Sequence, residues 1–182
     1  MPDIDQSIQD FYRVAQDRDF TRDFQFRVLD VSDRGSPVLT QEDLVYATAA
    51  SLPARAITNV PIPYMGLSFN LPGAATYPGS EGYALTFRAD GQHQLRTVFE
   101  NWSRDIFDDQ TSTGEFRLHS NSTISLAQLN QNLDVARIYK LIGVYPVNVG
   151  DMAFDMTGGG NIVNFTATLA YQYWTRSILP IA

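Results

Sequence analysis

No cysteine occurs among the 182 residues, histidine occurs only twice, and Lys140 is the single lysine. The missing cysteine excludes disulfides, thiolate zinc and iron–sulfur sites, and a cysteine nucleophile, while leaving the compartment open. Charged residues make up only 18% of the chain. No apolar run approaches the roughly 18 residues of a membrane-spanning helix, and the opening MPDIDQSIQD is acidic and polar, unlike a secretory signal. With 13 Lys+Arg against 20 Asp+Glu, the formal charge is −7, which argues against the basic footprint of a nucleic-acid binder. What is present is 44% hydrophobic and 12% aromatic residues. That is a globular composition. The length fits one domain, residues 1–182, able to bury roughly two-thirds of its unfolded surface without a staple. Low charge beside many aromatics predicts a surface that something covers.

Along the chain, residues 1–20 read as a helical N-terminal arm. Ile4, Ile8, Phe11 and Ala15 fall on one face of a helix over 3–17, with Asp3 and Asp5 in its first turn, where the macrodipole favours anions. The arm either caps one end of the core or docks on a neighbouring subunit. Phe24, Phe26 and Val28 alternate as in a half-buried strand, and the switch to Leu29 and Val31 predicts a bulge or twist near residue 28. Strands are expected near 44–51, 55–60 and 65–71, where Pro53, Pro61, Pro63 and Pro72 restrict them to starts, edges and bulges, and 73–82 reads as a loop. Tyr83, Leu85, Phe87 and Ala89 point one way from a strand. Asp90 then N-caps a helix at about 91–107 with a buried stripe of Leu95, Val98, Phe99, Trp102 and Ile106. A polar loop-like stretch at 108–122 precedes strands at 122–129, 135–145 and 162–174. The last shows Val163, Phe165, Ala167, Leu169, Tyr171 and Tyr173 on one face. The sum is mainly β with one or two helices: two packed antiparallel sheets, or a partly closed barrel, with the helix at the side.

The residues offer little for catalysis. His93 and His119 are far apart in the chain, and no metalloprotease, nucleophile-elbow or P-loop pattern is present. Gly158-Gly159-Gly160 precedes a strand, so it reads as a turn and not as a phosphate cradle. Asp105, Asp108 and Asp109 lack the spacing of a calcium loop and read as a solvated helix end. No cofactor pattern emerges.

One feature resists a plain monomer. In 135–145, Ile138, Ile142 and Val144 lie on one face, and Tyr139, Leu141 and Tyr145 on the other, whereas a surface strand should carry one polar face. Residues 55–71 are apolar or neutral throughout a region that proline pushes to sheet edges. Uncovered edges of this kind aggregate unless paired, and pairing with a neighbouring copy in a ring resolves the conflict.

Four stretches resemble the tail tube proteins of contractile-tailed (myovirus) bacteriophages. They are Phe20-Thr21-Arg22-Asp23-Phe24-Gln25-Phe26-Arg27-Val28; Ser51-Leu52-Pro53-Ala54-Arg55 running on to Val60-Pro61-Ile62-Pro63-Tyr64-Met65; Thr97-Val98-Phe99-Glu100-Asn101-Trp102; and Gly143-Val144-Tyr145-Pro146-Val147-Asn148-Val149-Gly150. The last is followed by Asp155 and the aromatic strand Phe165–Trp174. Tyr145, Pro146, Asn148, Gly150, Tyr171, Tyr173 and Trp174 are the family-motif residues. The loop at 32–43, the stretch at 108–122 and the tail Ser177–Ala182 depart from the pattern.

The resemblance implies two packed antiparallel sheets with a helix at the side, and a non-enzymatic structural subunit of the virion tail, assembled in the host cytoplasm. It implies homohexameric rings stacked into a tube, inside a contractile sheath. A baseplate tube-initiator starts the tube, a tail terminator closes it, a tape measure protein occupies the lumen, and genome DNA passes through without specific binding; the chain itself enters no membrane. Residues 55–71 and 135–149 are expected to supply inner-wall and inter-subunit strands, with Arg55, Ile57, Val60, Ile62, Met65, Leu67, Phe69, Arg137, Tyr139 and Leu141 as the candidates. The lumen is expected to be neutral or negative, since stable phosphate contacts need Lys or Arg, and Arg55 and Arg137 decide the case. The alternatives are a tube subunit of a phage-like contractile injection or type six secretion system that delivers protein, and a monomeric ligand-binding β-barrel.

Overall fold

Tyr83, Leu85 and Phe87 fall on one side of a strand, and all three are buried. The computed structural model, which describes residues 8–17 and 20–178, packs the remaining elements around that strand. In chain order these are α1 (Ile8–Asp17), β1 (Phe26–Asp33), β2 (Ser36–Pro37), α2 (Gln41–Leu44), β3 (Ala47–Ala50), β4 (Ala56–Tyr64), β5 (Leu67–Thr76), β6 (Tyr83–Arg88), α3 (Gln94–Ile106), β7 (Phe107–Asp108), β8 (Thr113–Gly114), β9 (Thr123–Leu129), β10 (Val135–Ile142), β11 (Tyr145–Val149), β12 (Asn164–Ala170) and β13 (Tyr173–Ile178). A five-stranded sheet runs β13–β10–β9–β1–β2 and a four-stranded sheet runs β11–β12–β6–β3. The expected mainly β fold of packed antiparallel sheets is present, and the sheets stay open at their edges and do not close into a barrel.

The core lies between the sheets. Val28, Val31, Ile124, Leu126 and Leu141 enter from the five-stranded sheet, and Leu85, Phe87, Phe165 and Leu169 from the other. Helix α3 packs beside β11 and adds Leu95, Phe99 and Trp102 from its expected stripe. Phe87 stacks on Phe165 at 5.6 Å and meets Phe99 at 5.4 Å. The expected irregularity near residue 28 is a register shift between Val28 and Asp30. It lets both Val28 and Val31 face the core.

Several sequence expectations need correction. The strand expected at 44–51 begins only at Ala47, because Thr40 and Asp43 form a reciprocal capping box that winds 41–44 into one helical turn. Phe24 is 65% exposed and precedes β1. Its neighbour Gln25 turns inward instead, donating from Nε2 to the Asn130 carbonyl at 3.0 Å and accepting the Arg22 amide at 2.6 Å. Helix α3 starts at Gln94, with His93 in a left-handed conformation at its cap (φ 55°). Asp90 still caps it, accepting from the amides of Gln94 (2.9 Å) and Leu95 (3.2 Å). Partial burial pushes the Asp90 carboxyl up, but these amide bonds outweigh it and hold the group below its usual value. The stretch 108–122 contains a short β7–β8 ladder and Glu115, which bridges Arg34 and Arg117.

The strand expected at 135–145 is two strands in two sheets. Gly143, at φ +75°, turns the chain from β10 into β11, and a Cβ there would stand 2.5 Å from Gln172 Cγ. The strand expected at 162–174 breaks at the same corner, where the Gln172 amide donates to the Ile142 carbonyl at 2.9 Å. Tyr171 ends the buried face, and Tyr173 opens β13 in the other sheet, 44% exposed. Of the arm, Ile4, Asp3 and Asp5 lie outside the described residues. The described helix α1 buries no residue, so it does not cap the core.

Candidate assembly interface

Residues 56–76 contain no charged side chain. They form a single hairpin, β4 with β5, that joins neither sheet. The expected strands at 55–60 and 65–71 are thus two halves of one ribbon, which runs past the expected loop start to Thr76. Its turn is Met65-Gly66, both at positive φ (48° and 80°), the two-residue arrangement whose twist matches the flanking strands. Nearer the stem the register shifts opposite Thr58, where β5 carries an extra residue at Gly73-Ala74. The bulge requires glycine at 73: a Cβ would stand 2.6 Å from Thr58 Oγ1 and 3.0 Å from the Thr58 carbonyl.

Cross-strand register sorts the side chains onto two faces. Val60 opposes Leu71, Ile62 opposes Phe69, and Tyr64 opposes Leu67, so one face is wholly apolar. Asn59 opposes Pro72, Pro61 opposes Asn70, and Pro63 opposes Ser68, so the other is polar and uncharged. The apolar side chains are 43% to 64% exposed. Covering the remainder is worth on the order of 5 kcal/mol at ordinary side-chain transfer values. A lone two-stranded ribbon is marginal in water, and within the subunit the apolar face of this one stays exposed.

Two aromatic donors hold the stem. The Trp174 indole N–H donates to the Ala54 carbonyl at 2.9 Å, and the Tyr83 hydroxyl donates to the Ser51 carbonyl at 2.5 Å. Burial pushes the Tyr83 phenol far above its ordinary value, which keeps it a donor across the physiological range. Tyr83 also meets Tyr171 edge-on at 5.8 Å.

The sequence-derived candidates divide on this geometry. Val60, Ile62, Leu67 and Phe69 share the apolar face. Ile57 alternates onto the opposite face, Met65 is the 85%-exposed tip, and Arg55 stands exposed at the stem. Tyr64 and Leu71 were not among the candidates, yet they complete the face; only the register about the Met-Gly turn reveals them. On β10, Leu141 is fully buried in the subunit core and Tyr139 packs on Trp174 at 5.6 Å. Leu141 is thus an internal side chain, Tyr139 is half-buried, and Arg137 is exposed. The motif residues run from the corner between the sheets along β11. Pro146 is buried, Tyr145 lies against His119 at 5.8 Å, Asn148 is exposed, and the Gly150 amide donates to the Thr166 carbonyl at 2.8 Å. Among the described residues, no three His, Cys, Asp or Glu side chains converge as a metal site, and no helix is long and apolar enough to cross a membrane.

Residues 15–177 match the family described as phage tail tube protein. Tail tube protein gp19 of Enterobacteria phage T4 is 25% identical over 169 residues, covering 92% of this chain and 98% of its own length. The gp19 of Enterobacteria phage T6 is 24% identical over the same span. Among solved structures, the tube terminating cap of the anti-feeding prophage shares the fold at a TM-score of 0.61 and 14% identity, over 88% of this chain and 92% of that one. A chain of the sheath–tube complex of an extracellular contractile injection system, in its extended state, does so at 0.54 and 13% identity, over 92% and 97%. This chain belongs to the phage tail tube protein family.

Proposed function

We propose that copies of this chain form rings of six that stack into the tube of a contractile phage tail, and that genome DNA passes down the lumen. The observation that carries the reading is the hairpin: one apolar face left uncovered by its own subunit, backed by a face without charge. The apolar face suits a neighbouring copy. The face of Asn59, Pro61, Pro63, Ser68, Asn70 and Pro72 suits a wall past which a polyanion slides, since it offers no cation to hold phosphate. The chain's net charge of −7 and single lysine act in the same direction. Stacking of heterologous contacts yields an open filament, and the exposed Phe11 and Tyr12 of α1 are candidates for the ring-to-ring contact. Sheath, tube-initiator, terminator and tape measure protein are the partners such a tube engages, and no reaction is catalysed. A protein-delivering injection tube would use the same fold; the sequence likeness to phage tube proteins favours DNA. A ligand-binding barrel is disfavoured because Phe87, Phe99 and Phe165 fill the space between the sheets.

Negative-stain microscopy of the purified chain at rising concentration tests the reading. Rings or rods are expected for the natural sequence and none for Phe69→Asp. A monomer at every concentration, with the same sedimentation for both proteins, would overturn it.

A further inference from the structure

The three prolines of the hairpin are not scattered. In a two-residue hairpin turn the flanking residues, Tyr64 and Leu67, form a hydrogen-bonded pair, and hydrogen-bonded and open pairs then alternate along the ribbon. Ile62–Phe69 and Val60–Leu71 are therefore hydrogen-bonded pairs, while Pro63–Ser68, Pro61–Asn70 and Asn59–Pro72 are open ones. At open pairs each backbone N–H points away from the partner strand, towards whatever lies beyond the ribbon. All three prolines occupy such positions, so the ribbon keeps its internal bonds and loses only outward donors. The loss is unequal. The outer edge of β4 has no donor at Pro61 or Pro63, whereas the outer edge of β5 keeps the donors of Ser68 and Asn70.

We infer that the hairpin is joined to a second copy of this chain by strand pairing along β5, and that Pro61 and Pro63 close β4 to the same pairing. The inference rests on the self-assembling tube reading and adds the direction of the joint. Proline is the usual device for blunting a strand edge. Over 67–71 the β5 edge carries neither proline nor charge, which leaves it open to main-chain recognition. The occupant is a copy of the chain itself because the family builds tubes from it, and because the molecule offers matching free edges: among the described residues β13 and β3 each pair on one side only. Area gives a further reason. A ribbon about 30 Å long and 10 Å wide presents roughly 300 Å² per face, short of the about 800 Å² per partner of a stable interface, so edge pairing must add to face burial. A one-sided joint also fixes hand: each hairpin extends one neighbour and cannot be extended symmetrically from both edges.

The test compares Asn70→Pro with Asn70→Ala and with the double variant Pro61→Ala/Pro63→Ala. Proline at 70 matches its cross-strand partner Pro61 in pairing class, so the ribbon accepts it while losing one outward donor. Asn70→Pro is expected to reduce rod formation at least tenfold, with Asn70→Ala and the double variant assembling as the natural chain does. Independently, hydrogen exchange on natural rods should show the Ser68 and Asn70 amides protected on assembly and the Asn59 amide unchanged. Rods formed equally well by Asn70→Pro, or protection at Asn59 without protection at Ser68 and Asn70, would overturn the edge assignment and leave self-assembly standing. A natural chain that never assembles would overturn the tube reading and the edge assignment together.

Discussion

The indole N–H of Trp174 donates to the Ala54 carbonyl oxygen at 2.9 Å, a bond between residues 120 apart in sequence. It fastens the stem of the hairpin to β13 of the five-stranded sheet, beside the Tyr83 hydroxyl that holds Ser51 from β6. The Trp174 ring is itself placed by Tyr139, 5.6 Å away across the β10–β13 ladder.

Trp174→Phe keeps most of that ring packing and removes the donor. The bond is solvent-accessible, so its loss should cost no more than about 1 kcal/mol in global unfolding. The local effect should be larger. Limited proteolysis of the free subunit should show cleavage between 52 and 56 several-fold faster than in the natural chain, with the other sites unchanged. Equal cleavage in both would mean that the Trp174 bond does not hold the stem, leaving it to packing and to the Tyr83–Ser51 bond.

Gly73→Ala addresses the bulge. The new methyl meets Thr58 Oγ1 at 2.6 Å, the Thr58 carbonyl at 3.0 Å and Val60 Cγ2 at 3.0 Å. Rotating the Thr58 side chain relieves only the first contact, so the ribbon must bend or slip. A slip by one residue would turn the apolar face of Val60, Ile62 and Phe69 to the opposite side. Because the hairpin pairs with neither large sheet among the described residues, the melting temperature should stay within about 2 °C of the natural value, while assembly, read by light scattering, should fall sharply. Loss of both would show that the hairpin and the body fold as one unit.

What could be read in advance follows from which signals are local. The alternation at 83–88 and the stripe Leu95, Phe99, Trp102 are local periodicities, and the core is built on both. The pairing conflict in 55–71 was also legible, because uncharged, proline-bearing apolar segments cannot sit in the middle of a sheet. The corners were not legible. The period-2 pattern continues without a break through Gly143 and through Tyr171-Gln172, so one-dimensional reading joins strands that lie in different sheets. Leu141 illustrates the consequence. Its neighbours alternate as if the strand had two free faces, but one of those faces is the subunit's own core. The apolar face of the hairpin was legible only in part, because its register depends on a turn at Met65, a residue seldom found at positive φ.

Asp90 makes a pH-dependent contribution. Its carboxylate accepts the Gln94 and Leu95 amides, and its folded pKa lies below the unfolded value. A depressed carboxyl contributes stability that is present above the unfolded pKa, about 3.9, and is lost as pH falls through the folded value. Asp90→Ala should therefore lower stability by about 1 kcal/mol at pH 7, and the difference from the natural chain should shrink in urea titrations below about pH 4. Asp90→Asn keeps a cap acceptor without the charge and should show a smaller loss at pH 7, which narrows in the same way as the natural carboxylate is protonated. A gap for Asp90→Ala that stays constant down to pH 2 would assign the cap to geometry and not to charge.

Gly150→Ala tests why the segment from Tyr145 to Gly150 has its particular form. The Gly150 amide donates to the Thr166 carbonyl at 2.8 Å, and a Cβ on Gly150 would meet that same oxygen at 2.7 Å. The close approach that makes the bond thus leaves no room for a side chain, and both atoms that clash belong to or grow from backbone, which cannot rotate away. Relief requires β11 to move off β12. β11 is the edge strand against which α3 packs, and α3 carries Phe99 into contact with Phe87 and Phe165. The disturbance should therefore reach the core and not remain local, unlike that of Gly73→Ala. We expect a loss of about 2–3 kcal/mol in global stability, with near-ultraviolet circular dichroism from Trp102 altered in the folded baseline. A stability within about 0.5 kcal/mol of the natural chain would mean that β11 slides freely, and that the glycine serves a contact outside the subunit.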